Sequence, residues 1–410
     1  MFSCDSSPTG TGYTTPYHQV PAAEIVDRIA RFQTCLAEQG TGGALLLQNT
    51  DIFYCTGTLQ NGILFIPATG TPTFWVRRSF DRGRQESPLT DIRPQLSLAD
   101  LVTDIKGRLD GKNALGLELD VLPTRIYRRY ADLLAGTPII DISPLIRQVR
   151  ALKSTYETGC IRKACRIMSE VFKHAATIIK PGITELELQA ELEYQARIRG
   201  HLGIARMRGW NNELFFGHVI SGPAAAARGY LDAPTNGLGL SPAFPQGATT
   251  RTLQPGIPVS IDFMVNADGY LGDETRMFCL GQPAKQLLKT HRDLLTLNRE
   301  LVQAARPGVV AGSIHDLAVE LAEHMGYGNH FLGTGGDRVS FVGHGVGLEV
   351  DEFPFMARGS KQILEAGMVI ALEPKFIFPD QGVITIENTY LLTGNGNERL
   401  TTDGEAMVIV

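Results

Sequence analysis

The chain has no run of about 18 consecutive apolar residues, the length a membrane-spanning helix needs. It has no CxxC pair either, because its six cysteines (Cys4, Cys35, Cys55, Cys160, Cys165 and Cys279) are scattered. That excludes a zinc knuckle, argues against a disulfide frame and points to reduced thiols in a cytoplasmic protein. An excess of basic charge is also absent. The net charge of −5 argues against nucleic-acid and anionic-membrane partners, and the small pairs Arg77-Arg78 and Arg128-Arg129 read as solvated faces. The opening MFSCDSSPTGTGYTTPYHQ carries neither a basic start nor an apolar core. It does not read as a signal peptide, and residues 1–20 are expected to form a loose arm.

What is present fits a globular protein of more than one domain. The chain has 410 residues, with 43% hydrophobic and 20% charged. In residues 21–40, Ile25, Ile29, Phe32 and Leu36 recur at helical spacing. Short apolar runs at Ala44–Leu47, Ile52–Tyr54, Ile63–Ile66 and Thr73–Val76 then read as strands. Helical stretches near 97–108 and 123–135 alternate with strands near 114–118 and 138–142. This alternation predicts an α/β domain over residues 21–150, with no motif that carries chemistry.

Residues 151–410 form a second unit with an internal repeat. A long helix from Thr155 to Ile179 is broken at Lys180-Pro181-Gly182. A second helix follows, with Thr184 and Glu187 as a capping box, and ends at Gly200. Leu287–Ala305 is again a long helix, broken at Arg306-Pro307-Gly308 and followed by a helix from Ser313 to Met325. Gly182 to Gly200 and Gly308 to Gly326 are both eighteen residues apart. The pattern predicts an α+β domain with duplicated helices on one antiparallel sheet.

Four strand-like runs in this domain carry carboxylates. Val259-Ser260-Ile261-Asp262-Phe263 is followed by the turn Ala267-Asp268-Gly269 and a second strand with Asp273. As a hairpin, this stretch sends Asp262 and Asp273 to the same end of the sheet. A buried carboxylate needs a cation; taken alone, the pair reads either as metal ligands or as a turn cap with an Arg276 ion pair. Met368–Leu372 ends in Glu373 before Pro374, and Gly382–Ile386 ends in Glu387. His344 sits among Gly343, Gly345 and Gly347, where it is either a ligand or a structural histidine. Four carboxylates and one imidazole together suit two divalent ions, with manganese, cobalt, iron or zinc favoured. Such a pair holds a hydroxide and polarises a carbonyl for hydrolysis.

These motifs resemble the pita-bread metallopeptidases, which include Xaa-Pro aminopeptidase, prolidase, methionine aminopeptidase and the metal-free creatinase. IDFMVNADGYLGDETR matches the family's I-D-x-G-x-x-x-x-G-Y-x-x-D-x-T-R segment. GHGVGLEVDEFP, ALEPKFIFP and GVITIENT match its His, E-P and final glutamate segments. The resemblance implies a creatinase-like N-terminal α/β domain and a C-terminal pita-bread domain on a curved antiparallel sheet. It implies that Asp262 holds one metal, that Asp273 and Glu387 bridge both, and that His344 and Glu373 hold the second. Glu373 would also shuttle a proton as catalytic base and acid, and a homodimer is implied as well.

Two family histidines are replaced. The one seven residues beyond the metal histidine is Asp351, and the upstream one falls on Gly229 in SGPAAAARGY. About sixteen extra residues follow, around Leu231–Thr250, as a loop expected to cover the site mouth. Asp351 is expected to bind a cationic substrate group or act as a catalytic base, unless it merely pairs with an arginine. Gly229 and Asp351 mark the altered substrate site. His218 is a substrate-binding substitute or an ordinary loop histidine. The leading expectation is a dinuclear-metal hydrolase of Xaa-Pro type acting on a small peptide or peptide-like amide. The alternative is a C–N hydrolase or lyase of a small zwitterion. A non-catalytic binding module would have lost metal ligands, and this chain keeps all five.

Overall fold

The computed structural model describes residues 17–410, apart from 96, 110–113, 216, 232, 234 and 337. The expected N-terminal arm therefore falls largely outside the described residues. The chain divides into two compact units, Met1–Ser143 and Pro144–Val410.

The first unit runs α1 Ala22–Glu38, β1 Thr41–Leu46, α2 Asn49–Thr56, β2 Gly62–Pro67, β3 Thr73–Val76, α3 Phe80–Glu86, β4 Ile92–Pro94, α4 Leu98–Arg108, β5 Ala114–Leu117, α5 Thr124–Leu133 and β6 Ile139–Asp141. Its six strands form one sheet in the order β4-β3-β2-β1-β5-β6. The β1–β2 and β2–β3 pairs are antiparallel and the others parallel. Leu45, Phe65, Leu101, Ile105, Leu115 and Leu117 meet in its core. One expectation fails here, because Ile52–Tyr54 lies inside helix α2 and not in a strand. The Gln48 side chain accepts the Asp51 N–H at the helix start, and Gly57 (φ 73°) closes its end. These local caps outweigh the strand preference of three apolar residues.

The second unit opens with α6 Ser143–Ala151, α7 Thr155–Ile178 and α8 Glu185–Ile198. It continues through β7 Gly217–Ser221, α9 Gly222–Ala225, β8 Pro258–Ala267 and β9 Tyr270–Cys279. Then come α10 Lys285–Ala304 and α11 Ala311–His324, followed by β10 Phe341–Gly345, β11 Glu352–Ala357, β12 Val369–Leu372, β13 Lys375–Phe378, β14 Gly382–Thr385, β15 Asn388–Thr393, β16 Gly396–Arg399 and β17 Val408–Ile409. Capping boxes start both α7 (Ser154, Glu157) and α8 (Thr184, Glu187). The glycines at matching points of the two helix pairs all adopt the left-handed region: Gly182 (φ 90°) with Gly308 (89°), and Gly200 (106°) with Gly326 (82°).

Each helix pair covers its own sheet. Helices α7 and α8 pack Met168, Val171, Leu188 and Leu192 onto Ile261, Phe263 and Phe278 of the β17-β9-β8-β7 sheet. Helices α10 and α11 pack Leu294, Leu301, Ile314 and Ala318 onto Val342, Ile370 and Leu372 of the β11-β10-β12-β15-β16 sheet. Truncating one such leucine to alanine costs about 2–5 kcal/mol. Where a single sheet was expected, there are two sheets and a β13-β14 pair, with a bridge between Thr275 and Glu387 linking β9 to the segment before β15. Among the described residues, no helix is long and apolar enough to cross a membrane.

Candidate metal centre

The β8–β9 hairpin fixes the first two carboxylates. Its turn places Asp268 (φ 53°) and Gly269 (φ 96°) at positive φ, the two-residue form that keeps strand twist and register. Asp262 then lies opposite Thr275, and Asp273 opposite Met264. Asp273 is two residues from Thr275, so both carboxylates share one face of the sheet. The rival pairing with Arg276 does not form, because that guanidinium meets Glu274 at 2.5 Å and Asn388 at 2.7 Å.

His344 sits in the middle of β10, between β11 and β12. The glycines beside it make room for those neighbouring strands. A Cβ at Gly343 would lie 2.3 Å from the Ala371 carbonyl oxygen, and one at Gly345 would lie 2.1 Å from that of Phe353. The His344 Nδ1 is 3.2 Å from the Gly345 carbonyl oxygen, which only accepts, so Nδ1 carries the hydrogen. Nε2 is left facing carboxylates: Glu373 at 3.3 Å, Asp273 at 3.8 Å and Glu387 at 4.0 Å. Glu387 is oriented by the Thr275 hydroxyl, which donates to its Oε2 at 2.7 Å.

The arrangement demands positive charge. Burial pushes the Asp273 carboxyl up to about 8, with the Asp262 and Glu373 charges adding to the effect. Burial, together with Asp273 and Glu373, also holds Glu387 well above the usual carboxylate range. Burial disfavours the His344 cation, yet Glu373 and Asp273 lift the imidazole to about 9. Ligand atoms of Asp273, His344 and Glu387 lie within 4.8 Å of one another. One nitrogen and two carboxylates around a common point fit a divalent ion, and Glu373 Oε1 borders the same point.

The other side of the cage holds a residue that sequence reasoning passed over. Lys375 is buried, with its Nζ 2.7 Å from Glu373 Oε2 and 3.5 Å from Asp262 Oδ2. Burial opposes its charge, but Glu373 and Asp262 hold the ammonium above its ordinary range. Burial likewise opposes ionisation of Glu373, yet Lys375 and His344 bring that carboxyl down to about 2. All five expected ligands line one cavity, and on its Asp262 side this ammonium lies among them. The signal was a lysine two residues after a strand-ending glutamate, hence on the same face.

A cavity of about 390 Å³ opens over these groups, lined also by Met207, Leu214, Phe215, Leu231 and Val350. His218 is brought into it. It lies on strand β7 opposite Asp262, with Nε2 3.8 Å from Oδ2, and is not on a loop. Burial, opposed by Asp262, lowers its pKa and favours the neutral ring. Gly229 does not line the cavity, and a Cβ there would meet the Asn236 side chain at 2.6 Å. The absence of a side chain there leaves room for Asn236, which lies in the 231–250 segment and does line the cavity. That segment supplies Asn236 and Gln246 to the cavity wall. Asn236 Oδ1 and both polar atoms of the Gln246 amide are buried and have no hydrogen-bond partner among the described residues.

Asp351 does border the cavity. Its carboxylate accepts the backbone N–H groups of Arg208 (2.8 Å) and Gly209 (2.9 Å), and its carbonyl accepts from Arg147 at 2.9 Å. From the cavity border it anchors the 207–214 loop. The turn before it is clamped by a buried network. Arg150 reaches Glu349 (2.8 Å) and Glu352 (2.6 Å), and Lys153 reaches Glu352 (2.8 Å). Against the cost of burial, Arg150 and Lys153 bring Glu352 down to about 2.

Comparison with known proteins agrees with this fold. The N-terminal part, residues 28–152, matches the creatinase/prolidase N-terminal domain. An Xaa-Pro dipeptidase of Pyrococcus furiosus is 25% identical over 378 residues, covering 92% of this chain and 97% of that protein. An uncharacterized peptidase of Bacillus subtilis, YqhT, is 25% identical and covers 93% and 100%. The solved Xaa-Pro dipeptidase from Bacillus anthracis superposes with a TM-score of 0.80 at 25% identity, covering 94% of this chain and 100% of that one. Residues 159–394, which carry every one of the cage residues above, match the model of metallopeptidase family M24, and the chain belongs to that family.

Proposed function

We propose that this chain is a metal-dependent hydrolase of Xaa-Pro dipeptidase type, cleaving a peptide or peptide-like amide in the cavity above β8–β9. The observation that carries the reading is the convergence of Asp273, His344 and Glu387 at the cavity floor. These residues would hold a divalent ion such as manganese, cobalt, iron or zinc. When bound, the ion supplies carbonyl polarisation and a water of lowered pKa. Glu373 is the proton carrier. The Lys375 ammonium fixes its Oε2, and Oε1 takes a proton from the attacking water. The water oxygen bonds to the carbonyl carbon, the C–N bond breaks, and Glu373 passes the proton to the departing nitrogen. Asn236, Gln246 and His218 orient the substrate through unpaired polar atoms.

A second reading is a C–N hydrolase or lyase of a small zwitterion. The amides from the 231–250 segment favour it, because they add hydrogen-bonding groups for a small polar compound to a mainly apolar wall. One panel separates the two readings: Xaa-Pro dipeptides against amidino, betaine-like and sulfonium compounds, after reconstitution with each metal. Hydrolysis of the dipeptides alone supports the first reading, and turnover of the small compounds alone replaces it. Free thiols at the five described cysteines support a cytoplasmic setting. A homodimer is the assembly that the family resemblance implies, and a monomeric mass by light scattering would contradict it.

A further inference from the structure

We propose that the Lys375 ammonium stands in for one cation of the cage, so that the site takes a single divalent ion at Asp273, His344 and Glu387. The inference rests on the metal reading above and deepens it.

The backbone leaves the lysine little choice. Residues 373 and 375 are two apart where β12 passes into β13, and their side chains meet at 2.7 Å, so both enter the cage from one side. Lys375 pairs with Thr385 across the β13–β14 hairpin, and its carbonyl accepts the Leu332 N–H at 3.0 Å. Its side chain is 3% exposed. An ammonium turned away from the cage would be buried without a partner, which is strongly unfavourable. Within the cage it reaches Glu373 and Asp262, the two carboxylates outside the Asp273–His344–Glu387 group.

Asp262 itself is flanked by nitrogen. Lys375 Nζ lies 3.5 Å from Oδ2 on one side and His218 Nε2 lies 3.8 Å from it on the other. A metal held by Asp262 needs that oxygen at about 2.0–2.2 Å, and a paired ion lies about 3.5–4 Å from its neighbour. Lysine is a compact point charge, and here it occupies the same neighbourhood. A divalent ion and an ammonium cannot share it without strong repulsion. The lysine therefore neutralises the Asp262 side and leaves the imidazole side to metal. It also holds Glu373 Oε2, so only Oε1 remains for proton transfer.

The test is a metal count on the full chain, dialysed against excess Mn²⁺ and then freed of unbound ion. The wild-type protein should hold one ion per chain and give an isolated Mn²⁺ paramagnetic resonance signal. Lys375→Gly, with folding checked by circular dichroism, should hold two ions with a spin-coupled signal. Lys375→Ala serves as a second variant. Two coupled ions in the wild type overturn the inference, whether or not the variants fold. Folded Lys375→Gly and Lys375→Ala proteins that both stay at one ion also overturn it. A wild type that binds no ion at saturating metal overturns the metal reading itself, and the inference with it.

Discussion

The backbone N–H of Gly209 donates to the Asp351 carboxylate at 2.9 Å, tying the 207–214 loop to the turn that follows His344. Together with the Arg208 N–H, this makes Asp351 a positioning residue. Hydrogen bonds to a charged group contribute about 1.5–3 kcal/mol each. Asp351→Ala should therefore speed amide hydrogen exchange in residues 206–212 and raise KM about tenfold or more, with metal content unchanged. Unchanged exchange with a fall in kcat alone would restore the catalytic role expected from sequence.

His344 supplies the only nitrogen of the ligand group Asp273–His344–Glu387. His344→Ala should weaken metal binding more than about 100-fold, since even indirect partners of a metal ligand contribute 10–100-fold. Isothermal titration with Mn²⁺ or Zn²⁺ measures this. A His344→Ala protein with the parent affinity would remove the residue from the ligand set.

Glu373→Gln separates chemistry from metal binding. Lys375 holds Oε2, and Oε1 faces His344 at 3.3 Å. Turnover should fall about 10²–10⁴-fold, the usual contribution of a general acid–base group, while a metal stays bound through Asp273, His344 and Glu387. A variant with parent kcat would exclude Glu373 as proton carrier.

The pH dependence of the metal-free protein has a definite sign. Asp273 is raised from 3.8 to about 8 and His344 from 6.5 to about 9 on folding. Each contributes stability that is complete below the unfolded value and is lost as pH rises through the folded one. Glu373, lowered from 4.5 to about 2, acts in the opposite sense and only on the acid side. Glu387, also raised by burial, acts in the same direction as the first two, and a divalent ion takes the place of the protons on these ligands. The rise in Tm on adding Mn²⁺ should therefore grow from about pH 6 to about pH 8.5. Paired melts with metal and with chelator check this, and a rise that shrinks over that range would contradict it.

Asn236 Oδ1 and the Gln246 amide are buried at the cavity wall with no hydrogen-bond partner among the described residues. Replacing either with alanine should raise KM about tenfold, the equivalent of one hydrogen bond, with a smaller change in kcat. Gly229→Ala would press against Asn236 at 2.6 Å and should lower Tm as an overpacked site does, by about 1–3 kcal/mol of stability. Parent kinetics in both amide variants would exclude the 231–250 segment from substrate binding.

The cage was legible because its carboxylates lie within apolar strands or just past their ends, where a carboxylate is unusual, and because the Asp268-Gly269 turn fixes the hairpin register. The helix pairs were legible from their breakers, and Thr184 with Glu187 forms the cap that their spacing announces. What escaped depends on local caps in one case and on long-range contacts in the others. The 49–56 helix is decided by caps at its two ends and not by its apolar centre. The partners of Asp351 are backbone groups 142 and 143 residues away in sequence. His218 became part of the site only through the pairing of β7 with β8. Lys375 was visible as a residue but not as a cation facing Asp262, which lies 113 residues away.

The central claim is that a divalent ion sits among Asp273, His344 and Glu387. Anomalous diffraction from crystals grown with Mn²⁺ or Zn²⁺ tests it directly. A peak about 2.0–2.2 Å from His344 Nε2 and from a carboxylate oxygen of Asp273 and of Glu387 is the predicted result. No peak among these three side chains at saturating metal would contradict the account.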